Sequence, residues 1–296
     1  NKPLGKWEIF NPRETKHEYA VEDGGDGFLV LTNFGAENFR VMHAKYGNTK
    51  KSRWHEVVKH RAEVLVSKFT VFEKHLVLEV RENGLTAIEI YNRQNMLKRR
   101  VALPDPVYTV EVSQNAEYQA NQVRVVYESM VRPTTYFDIN LESLALSIVK
   151  EKEVPTYDQK LYATERIWVK SHDGVLVPVS ISYRKDLDRS RPNSMLLYGY
   201  GSYGFSTDPD FRSDMVSLLD RGFIYALAHI RGGSEMGRKW YESGRMSNKK
   251  NTFLDFNAVA KYFIDNKVTT SQKLFAMGGS AGGLLMGAIV NDHPEF

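Results

Sequence analysis

The sequence of 296 residues contains no cysteine, no long apolar run and almost no excess of charge of one sign. Without cysteine the chain has no disulfide framework, no thiolate nucleophile and no cysteine-ligated metal. Its longest apolar run, residues 223–230, is far shorter than the roughly 20 residues that span a bilayer. The 40 basic and 36 acidic side chains leave a net charge of +4, too little to indicate a nucleic-acid-binding surface. These absences predict a soluble, cytoplasmic protein without membrane or nucleic-acid partners.

The first half of the chain contains an internal repeat. Three apolar runs start 47 and 48 residues apart, a second run follows each of them at a similar offset, and Trp7 and Trp54 are also 47 residues apart. The runs alternate apolar with polar residues and are rich in Val, Ile, Tyr and Phe, which predicts short strands, roughly four per repeat. A unit of this size with four strands is typical of a β-propeller blade. The first runs are 29–33, 76–80 and 124–128, and the second runs are 39–43, 87–91 and 135–139.

The repeat predicts about three blades, together with the last strand of a fourth blade at 5–10. Because propellers usually have about four to eight blades, three cannot close a ring, and we expect the parent protein to begin upstream of Asn1. An ordinary antiparallel sandwich with coincidental spacing is the alternative. We assign residues 1–158 to a partial β-propeller and residues 159–296 to a second domain.

The second domain alternates strands with helices. It opens with a predicted hairpin around a tight turn at Asp173-Gly174. Thr252 and Asp255 are interpreted as a capping-box variant that opens a helix. Alternating strands and helices predict a largely parallel α/β sheet. The predicted strands are 194–198, 223–230 and 274–277, and a further helix is predicted at 211–221.

The glycine-rich segment 278–283 follows the last of these strands and precedes a predicted helix. It fits the G-x-S-x-G pattern of a nucleophile elbow, in which a strained turn between a strand and a helix displays a serine. Ser280 is therefore the candidate nucleophile, and the backbone N–H of Ala281 at the helix N-terminus is a candidate oxyanion donor. The domain is accordingly predicted to be the first part of an α/β-hydrolase domain, truncated after the nucleophile helix. A structural glycine-rich turn or a phosphate loop is the alternative.

A second glycine cluster, 199–204, follows a predicted strand and fits the dinucleotide-binding pattern G-x-G-x-x-G. That interpretation is disfavoured because Pro209 separates the glycines from the next helix and the following strand ends without an acidic residue. The segment is better interpreted as a loop beside the nucleophile, in which the Tyr200 hydroxyl is an oxyanion donor. A packing role for Tyr200 is the alternative. The sequence predicts no cofactor and no metal site.

Four segments of the second domain resemble the prolyl oligopeptidase family of serine peptidases in sequence, order and separation. They are 197–204, 231–237, 248–253 and 278–283. Within the family the chain is most similar to the oligopeptidase B branch, because Gly201-Ser-Tyr203 and Ser280-Ala281 stand where prolyl oligopeptidase has Gly-Gly-Phe and Ser-Asn. The blade repeat agrees with the seven-bladed propeller of that family.

The resemblance implies an endopeptidase that cleaves short peptides after Arg or Lys, with a propeller that screens out folded proteins. It assigns Ser280 as the nucleophile and Tyr200 with the Ala281 N–H as the oxyanion hole. Tyr203 and Arg231 are weaker candidates for lining the substrate cleft.

The catalytic acid and base are the main departure from the family. In an α/β-hydrolase they follow the nucleophile in the order Ser, Asp, His, and here only Asp292 and His293 stand in that order. At 1.5 Å per helical residue they lie roughly 18 Å from Ser280, too far to act. The triad Asp and His, and the carboxylates that hold the basic side chain, are therefore expected beyond Phe296. The chain alone is expected to be inactive.

Two other functions fit the same residues. A carboxylesterase would use the same chemistry at Ser280, and an interaction protein would combine the propeller with a degenerate hydrolase domain. The upstream histidines are interpreted as surface or strand residues and not as catalytic bases. They include His43, His55, His60, His75, His172 and His229.

Overall fold

The structure is a computed structural model that describes residues 5–295. Within this range the chain forms three four-stranded antiparallel sheets, followed by one five-stranded mixed sheet with four helices. The first sheet contains β1 (Tyr19–Asp23), β2 (Phe28–Thr32), β3 (Arg40–Ala44) and β4 (His55–Val58). The second contains β5 (Val64–Val71), β6 (His75–Glu82), β7 (Leu85–Asn92) and β8 (Lys98–Arg100). The third contains β9 (Thr109–Val112), β10 (Gln122–Ser129), β11 (Arg132–Asn140) and β12 (Leu146–Glu151).

Each of these three sheets is arranged like a propeller blade, because strands that are consecutive in the chain are also neighbours in the sheet. The two apolar runs of the sequence repeat form the second and third strands of each blade. Adjacent blades bury their facing side chains together. Leu31 and Leu78 belong to the apolar cluster between the first two blades, and Ile90 and Val125 belong to the cluster between the second and third. The repeat in the sequence therefore predicted the three blades correctly.

The predicted last strand of a fourth blade at 5–10 is wrong, because these residues form no strand. Trp7, which shares the repeat spacing with Trp54, is 94% exposed, whereas Trp54 is 7% exposed. Phe10 instead packs its ring edge-on against Phe28, at 5.3 Å between ring centroids, and also contacts the Trp54 ring. Phe10 thus packs on the apolar cluster that contains Val30 and Trp54 of the first blade, while the segment pairs with no sheet.

The remaining elements form the α/β domain, whose sheet has the strand order β13-β14-β16-β15-β17. The strands β15, β16 and β17 are parallel, and β14 pairs antiparallel with both β16 and β13. Helices α3 and α4 cover one face of this sheet, and α1 covers the other. The elements are β13 (Tyr162–Lys170), β14 (Leu176–Arg184), β15 (Met195–Gly199), α1 (Ser213–Leu219), β16 (Ile224–Ala228), α2 (Arg238–Glu242), α3 (Lys250–Asp265), β17 (Leu274–Met277) and α4 (Ala281–Asp292).

The predicted capping box at Thr252 and Asp255 is wrong. Helix α3 begins at Lys250, so both residues lie inside the helix, and both are fully buried. The Thr252 hydroxyl binds the backbone carbonyls of Arg231 and Gly244, and the Asp255 carboxylate accepts hydrogen bonds from Arg231. Tertiary partners therefore occupy the side chains that the sequence pattern assigned to the helix end. Within residues 5–295, no helix combines the length and the apolar character that crossing a membrane requires.

Candidate active site

Ser280 stands in a sharp turn between β17 and α4. Its backbone has φ 53° and ψ −118°, a left-handed φ that is strained for any residue with a Cβ. The side chain is exposed. The predicted strand, strained turn and helix are all present. This is the geometry in which a nucleophile elbow displays a reactive hydroxyl.

Two of the four glycines around Ser280 are there because the backbone passes very close to itself. A Cβ on Gly278 would lie 2.5 Å from the carbonyl oxygen of Gly282, and a Cβ on Gly282 would lie 2.9 Å from the carbonyl oxygen of Gly199. By contrast, a Cβ on Gly279 or Gly283 would meet no described atom within 4 Å. The steric requirement for glycine therefore falls on positions 278 and 282.

The first turn of α4 offers a place for negative charge beside the serine. Ala281 is the first residue of the helix, where a backbone N–H has no intrahelical acceptor. The helix dipole is also positive at this end of α4. The structure therefore puts an N–H donor directly after Ser280, as the sequence predicts for one half of an oxyanion hole.

Tyr200 lies next to this turn because β15 and β17 are parallel neighbours. Tyr198 pairs with Met277, so the residues that follow the two strands emerge at the same edge of the sheet. A Cβ built on Gly282 would be 3.6 Å from Cδ2 of Tyr200, which places the tyrosine ring beside the first turn of α4. The Tyr200 ring also packs edge-on against Phe205, with 5.6 Å between ring centroids.

The glycines of the second cluster shape the Tyr200 loop and do not open a helix. Gly201 and Gly204 have φ values of 63° and 64°, and the next helix, α1, begins only at Ser213. A Cβ on Gly201 would lie 2.7 Å from the side chain of Ile230 and 2.9 Å from the carbonyl oxygen of Arg231. The segment therefore lacks the helix start that a dinucleotide-binding turn requires.

The prediction that Arg231 lines the substrate cleft is wrong for its side chain. Arg231 is only 3% exposed, and its guanidinium group binds the carboxylates of Asp255 and Asp173, with shortest distances of 2.6 Å to each. Burial alone would lower the pKa of Arg231, but the two carboxylates raise it. Arg231 is thus a buried tie between α3 and the β13–β14 hairpin.

Tyr203, the other candidate for lining the cleft, is exposed where Arg231 is buried. It is 77% exposed and has a left-handed backbone with φ 61°. Its ring lies three residues after Tyr200 on the same loop and is available for contact. A role in substrate binding stays a prediction for Tyr203.

Two of the described histidines have partners other than Ser280. His293 lies at the far end of α4, where its Nδ1 is 2.8 Å from the carboxylate of Glu295. His229 is completely buried, its Nε2 lies 2.7 Å from Oγ of Ser180, and burial holds its pKa well below the ordinary value. That none of the described histidines serves as the base stays a prediction.

Two charged residues that bind the loop after β15 had no sign in the sequence pattern. Glu235 is 1% exposed, and burial raises the pKa of its carboxyl to about 7. Lys249 is half-buried and donates hydrogen bonds to the loop that carries Tyr200. Both lie in segments that carry the family resemblance, but their burial depends on neighbours distant in sequence. Only the fold reveals it.

A cavity of about 600 Å³ lies between the third blade and the α/β domain. One wall is Phe205, whose ring packs against that of Tyr200. The cavity is lined by four carboxylates and one guanidinium group, which gives it a net acidic character. The charged residues are Glu111, Glu128, Asp208, Asp210 and Arg212.

Two family models match the chain. The model described as "Prolyl oligopeptidase, N-terminal beta-propeller domain" matches residues 2–152, and the model described as "Prolyl oligopeptidase family" matches residues 209–296. The first match alone covers half of the chain. Together they confirm the predicted fold class, propeller blades followed by a hydrolase domain.

Curated relatives align over nearly the whole chain. Dipeptidyl aminopeptidase BI of Pseudoxanthomonas mexicana is 41% identical over 293 residues, which are 98% of this chain and 40% of the relative. Protease 2 of Moraxella lacunata is 37% identical over 295 residues, which are 99% of this chain and 42% of the relative. The chain thus spans about two fifths of the length of these relatives.

Solved structures show the same relationship. Oligopeptidase B from Leishmania major superposes with a TM-score of 0.90 and 39% identity, over 97% of this chain and 42% of that chain. Prolyl oligopeptidase B from Galerina marginata, bound to a 35mer hydrolysis and macrocyclization substrate, superposes with a TM-score of 0.86 and 26% identity, over 98% of this chain and 41% of that chain.

Proposed function

Because the chain belongs to the prolyl oligopeptidase family of serine peptidases, we propose that it carries the nucleophile and the oxyanion hole of an oligopeptidase. One observation supports this more than any other. Ser280 is exposed in a strained left-handed turn at the start of α4, with Tyr200 packed beside the same helix turn. A turn with only a structural role would favour glycine at position 280, because glycine adopts a left-handed φ without strain.

In the proposed mechanism the Ser280 hydroxyl attacks the scissile carbonyl and forms an acyl-enzyme. The negative charge that develops on the carbonyl oxygen is stabilised by the Ala281 N–H and the Tyr200 hydroxyl. Serine at its ordinary pKa is a weak nucleophile and needs a base to take its proton. We propose that a histidine and an aspartate outside this chain supply that function in the full-length protein, so the 296-residue chain alone is inactive.

We further propose short peptides with Arg or Lys before the scissile bond as substrates. Two observations support this choice. The chain is similar to oligopeptidase B of Leishmania major, and the cavity beside Phe205 carries more carboxylates than cations. An acidic cavity raises the local concentration of basic peptides by electrostatic attraction.

The division of the chain is also a proposal. We place the propeller at residues 1–158 and the catalytic part at 159–296, since the third blade ends with β12 at Glu151 and the α/β sheet begins with β13 at Tyr162. We also propose a cytoplasmic location, which the absence of cysteine permits.

The proposal is tested in the full-length protein that contains this chain. We expect labelling by a fluorophosphonate probe and hydrolysis of an arginyl amide, and Ser280→Ala should abolish both. Ser271→Ala is the matched control, because Ser271 is exposed and lies before β17, at the end of that strand opposite Ser280.

Preference for a simple ester over the arginyl amide would indicate a carboxylesterase. Absence of both labelling and turnover would indicate an interaction protein with a degenerate hydrolase domain. Turnover by the 296-residue chain alone, lost in Ser280→Ala, would contradict the need for an external base.

A further inference from the structure

Lys249 occupies a position that is unfavourable for a lysine. It is the N-cap residue of the 16-residue helix α3, where Ser, Thr, Asp or Asn is preferred, and its side chain makes no capping hydrogen bond. A cation is also disfavoured at this end of a helix, because the helix dipole is positive there. The side chain is half-buried, and burial lowers the pKa of its ammonium group. A compensating interaction is needed to keep a cation at this site.

The compensation comes from the loop that carries Tyr200. Nζ of Lys249 donates to the carbonyl oxygen of Gly201 at 2.6 Å and to the hydroxyl oxygen of Ser202 at 2.7 Å. Both acceptors directly follow Tyr200 in the chain, and Ser202 is itself 8% exposed. Hydrogen bonds from a charged donor are about twice as strong as those between neutral groups. Lys249 therefore ties α3 to the two residues next to the candidate oxyanion tyrosine.

Gly201 transmits this constraint to the backbone of Tyr200. Its left-handed backbone, with φ 63°, fits against the side chains of Ile230 and Thr252, and no space remains for a Cβ. Thr252 stands three residues after Lys249 on α3. The glycine is thus held both by packing against α3 and by the hydrogen bond from the Lys249 ammonium group, so the loop cannot shift without breaking a charged hydrogen bond.

We propose that Lys249 is a positioning residue for the oxyanion hole. Its ammonium group fixes the Gly201–Ser202 backbone, and through it the point from which Tyr200 extends towards the carbonyl oxygen above Ser280. This inference rests on the proposed function, because it presumes that the Tyr200 hydroxyl stabilises the oxyanion. Lys249 itself does not touch the substrate in this proposal.

The test uses three variants of the full-length protein, assayed for kcat and KM on an arginyl amide. Lys249→Met removes the charge and the donors but retains the length of the side chain. We expect kcat to fall by about tenfold to a hundredfold, because a small misplacement of a catalytic group produces an effect of this size. KM should stay within a few-fold, because the lost interaction acts in the transition state. Lys250→Met is the matched control, since Lys250 is exposed on the same helix end, and it should leave both constants unchanged. Ser202→Ala removes one of the two acceptors and should give a smaller loss of kcat.

A double-mutant cycle separates positioning from general structural damage. If Lys249 acts through Tyr200, Lys249→Met should have little effect on kcat in a Tyr200→Phe background, since the hydroxyl that it positions is already absent. Additive losses would overturn the positioning role, as would an unchanged kcat in both Lys249→Met and Ser202→Ala. An unchanged kcat in Tyr200→Phe alone would instead overturn the oxyanion role on which the inference rests. If Lys249→Met does not fold, the cycle between Ser202→Ala and Tyr200→Phe decides the question in the same way.

Discussion

Arg81 and Asp208 form a two-pronged ion pair between the second blade and the α/β domain. Nη1 and Nη2 of Arg81, at the end of β6, lie 2.6 and 2.9 Å from the two carboxylate oxygens of Asp208, in the loop that follows β15. Both side chains are largely withdrawn from solvent, with 10% and 22% exposure. A charged pair in such surroundings depends on both partners, because each would otherwise be a buried charge without compensation.

The first prediction concerns this pair. Arg81→Met should destabilise the full-length protein by about 3–5 kcal/mol, the usual cost of removing one partner of a buried ion pair. Urea or thermal unfolding measures the loss. Lys261→Met on α3 is the control, because its partner Asp265 is 54% exposed, its own side chain is 63% exposed, and exposed pairs contribute about 0–1 kcal/mol. Equal effects of the two substitutions would contradict the prediction.

A second prediction concerns pH. Oε1 of Glu235 accepts a hydrogen bond from the Thr207 N–H at 2.8 Å, its Oε2 has no partner within residues 5–295, and burial raises the pKa of the group from 4.5 to about 7. A carboxyl whose pKa is raised by folding stabilises the fold while it is protonated, below about pH 4.5, and loses this contribution as the pH rises through about 7. At 1.36 kcal/mol per pH unit, the loss amounts to about 3 kcal/mol.

The measurement is the free energy of unfolding of the full-length protein between pH 4.5 and 8, compared with that of Glu235→Gln. Glutamine keeps the acceptor for Thr207 but does not titrate, so the wild-type protein should lose about 3 kcal/mol more than the variant over this range. Parallel pH profiles for the two proteins would show that Glu235 titrates normally.

The sequence predicted those features that depend on neighbouring residues. The blades follow from alternation within each run, and the turn at Ser280 follows from glycines within three residues of it. It failed for Thr252 and Arg231, whose partners are distant in the chain. Arg231 binds Asp173, 58 residues earlier, and Asp255, 24 residues later. The local pattern around each residue gave no sign of these partners, because only packing of the hairpin and α3 on the sheet brings the groups together.

A third prediction tests the oxyanion role of Tyr200 directly. Tyr200→Phe in the full-length protein should lower kcat by about 10²–10³ and leave KM within a few-fold, because an oxyanion donor acts on the transition state and contributes roughly 2.7–4 kcal/mol. The ring and its packing against Phe205 are retained in this variant. Steady-state kinetics on an arginyl amide provide the measurement. An unchanged kcat would indicate that Tyr200 has only a packing role.

The last prediction concerns the glycines of the turn, which the structure divides into two kinds. Gly282→Ala places a methyl group 2.9 Å from the carbonyl oxygen of Gly199. Neither backbone can yield freely, so we expect a loss of about 1–3 kcal/mol in stability from overpacking. The same shift moves the Ala281 N–H relative to Ser280, and misplacement of this kind lowers the rate by about a hundredfold. The fluorophosphonate labelling rate and kcat measure the second effect.

Gly283→Ala is the control, since its methyl group meets no described atom within 4 Å and alanine is better than glycine in a helix by about 1 kcal/mol. It should retain activity and unfold at the same or a higher temperature. If the two alanine variants behaved alike, the close approach of α4 to β15 would not be what requires glycine at position 282.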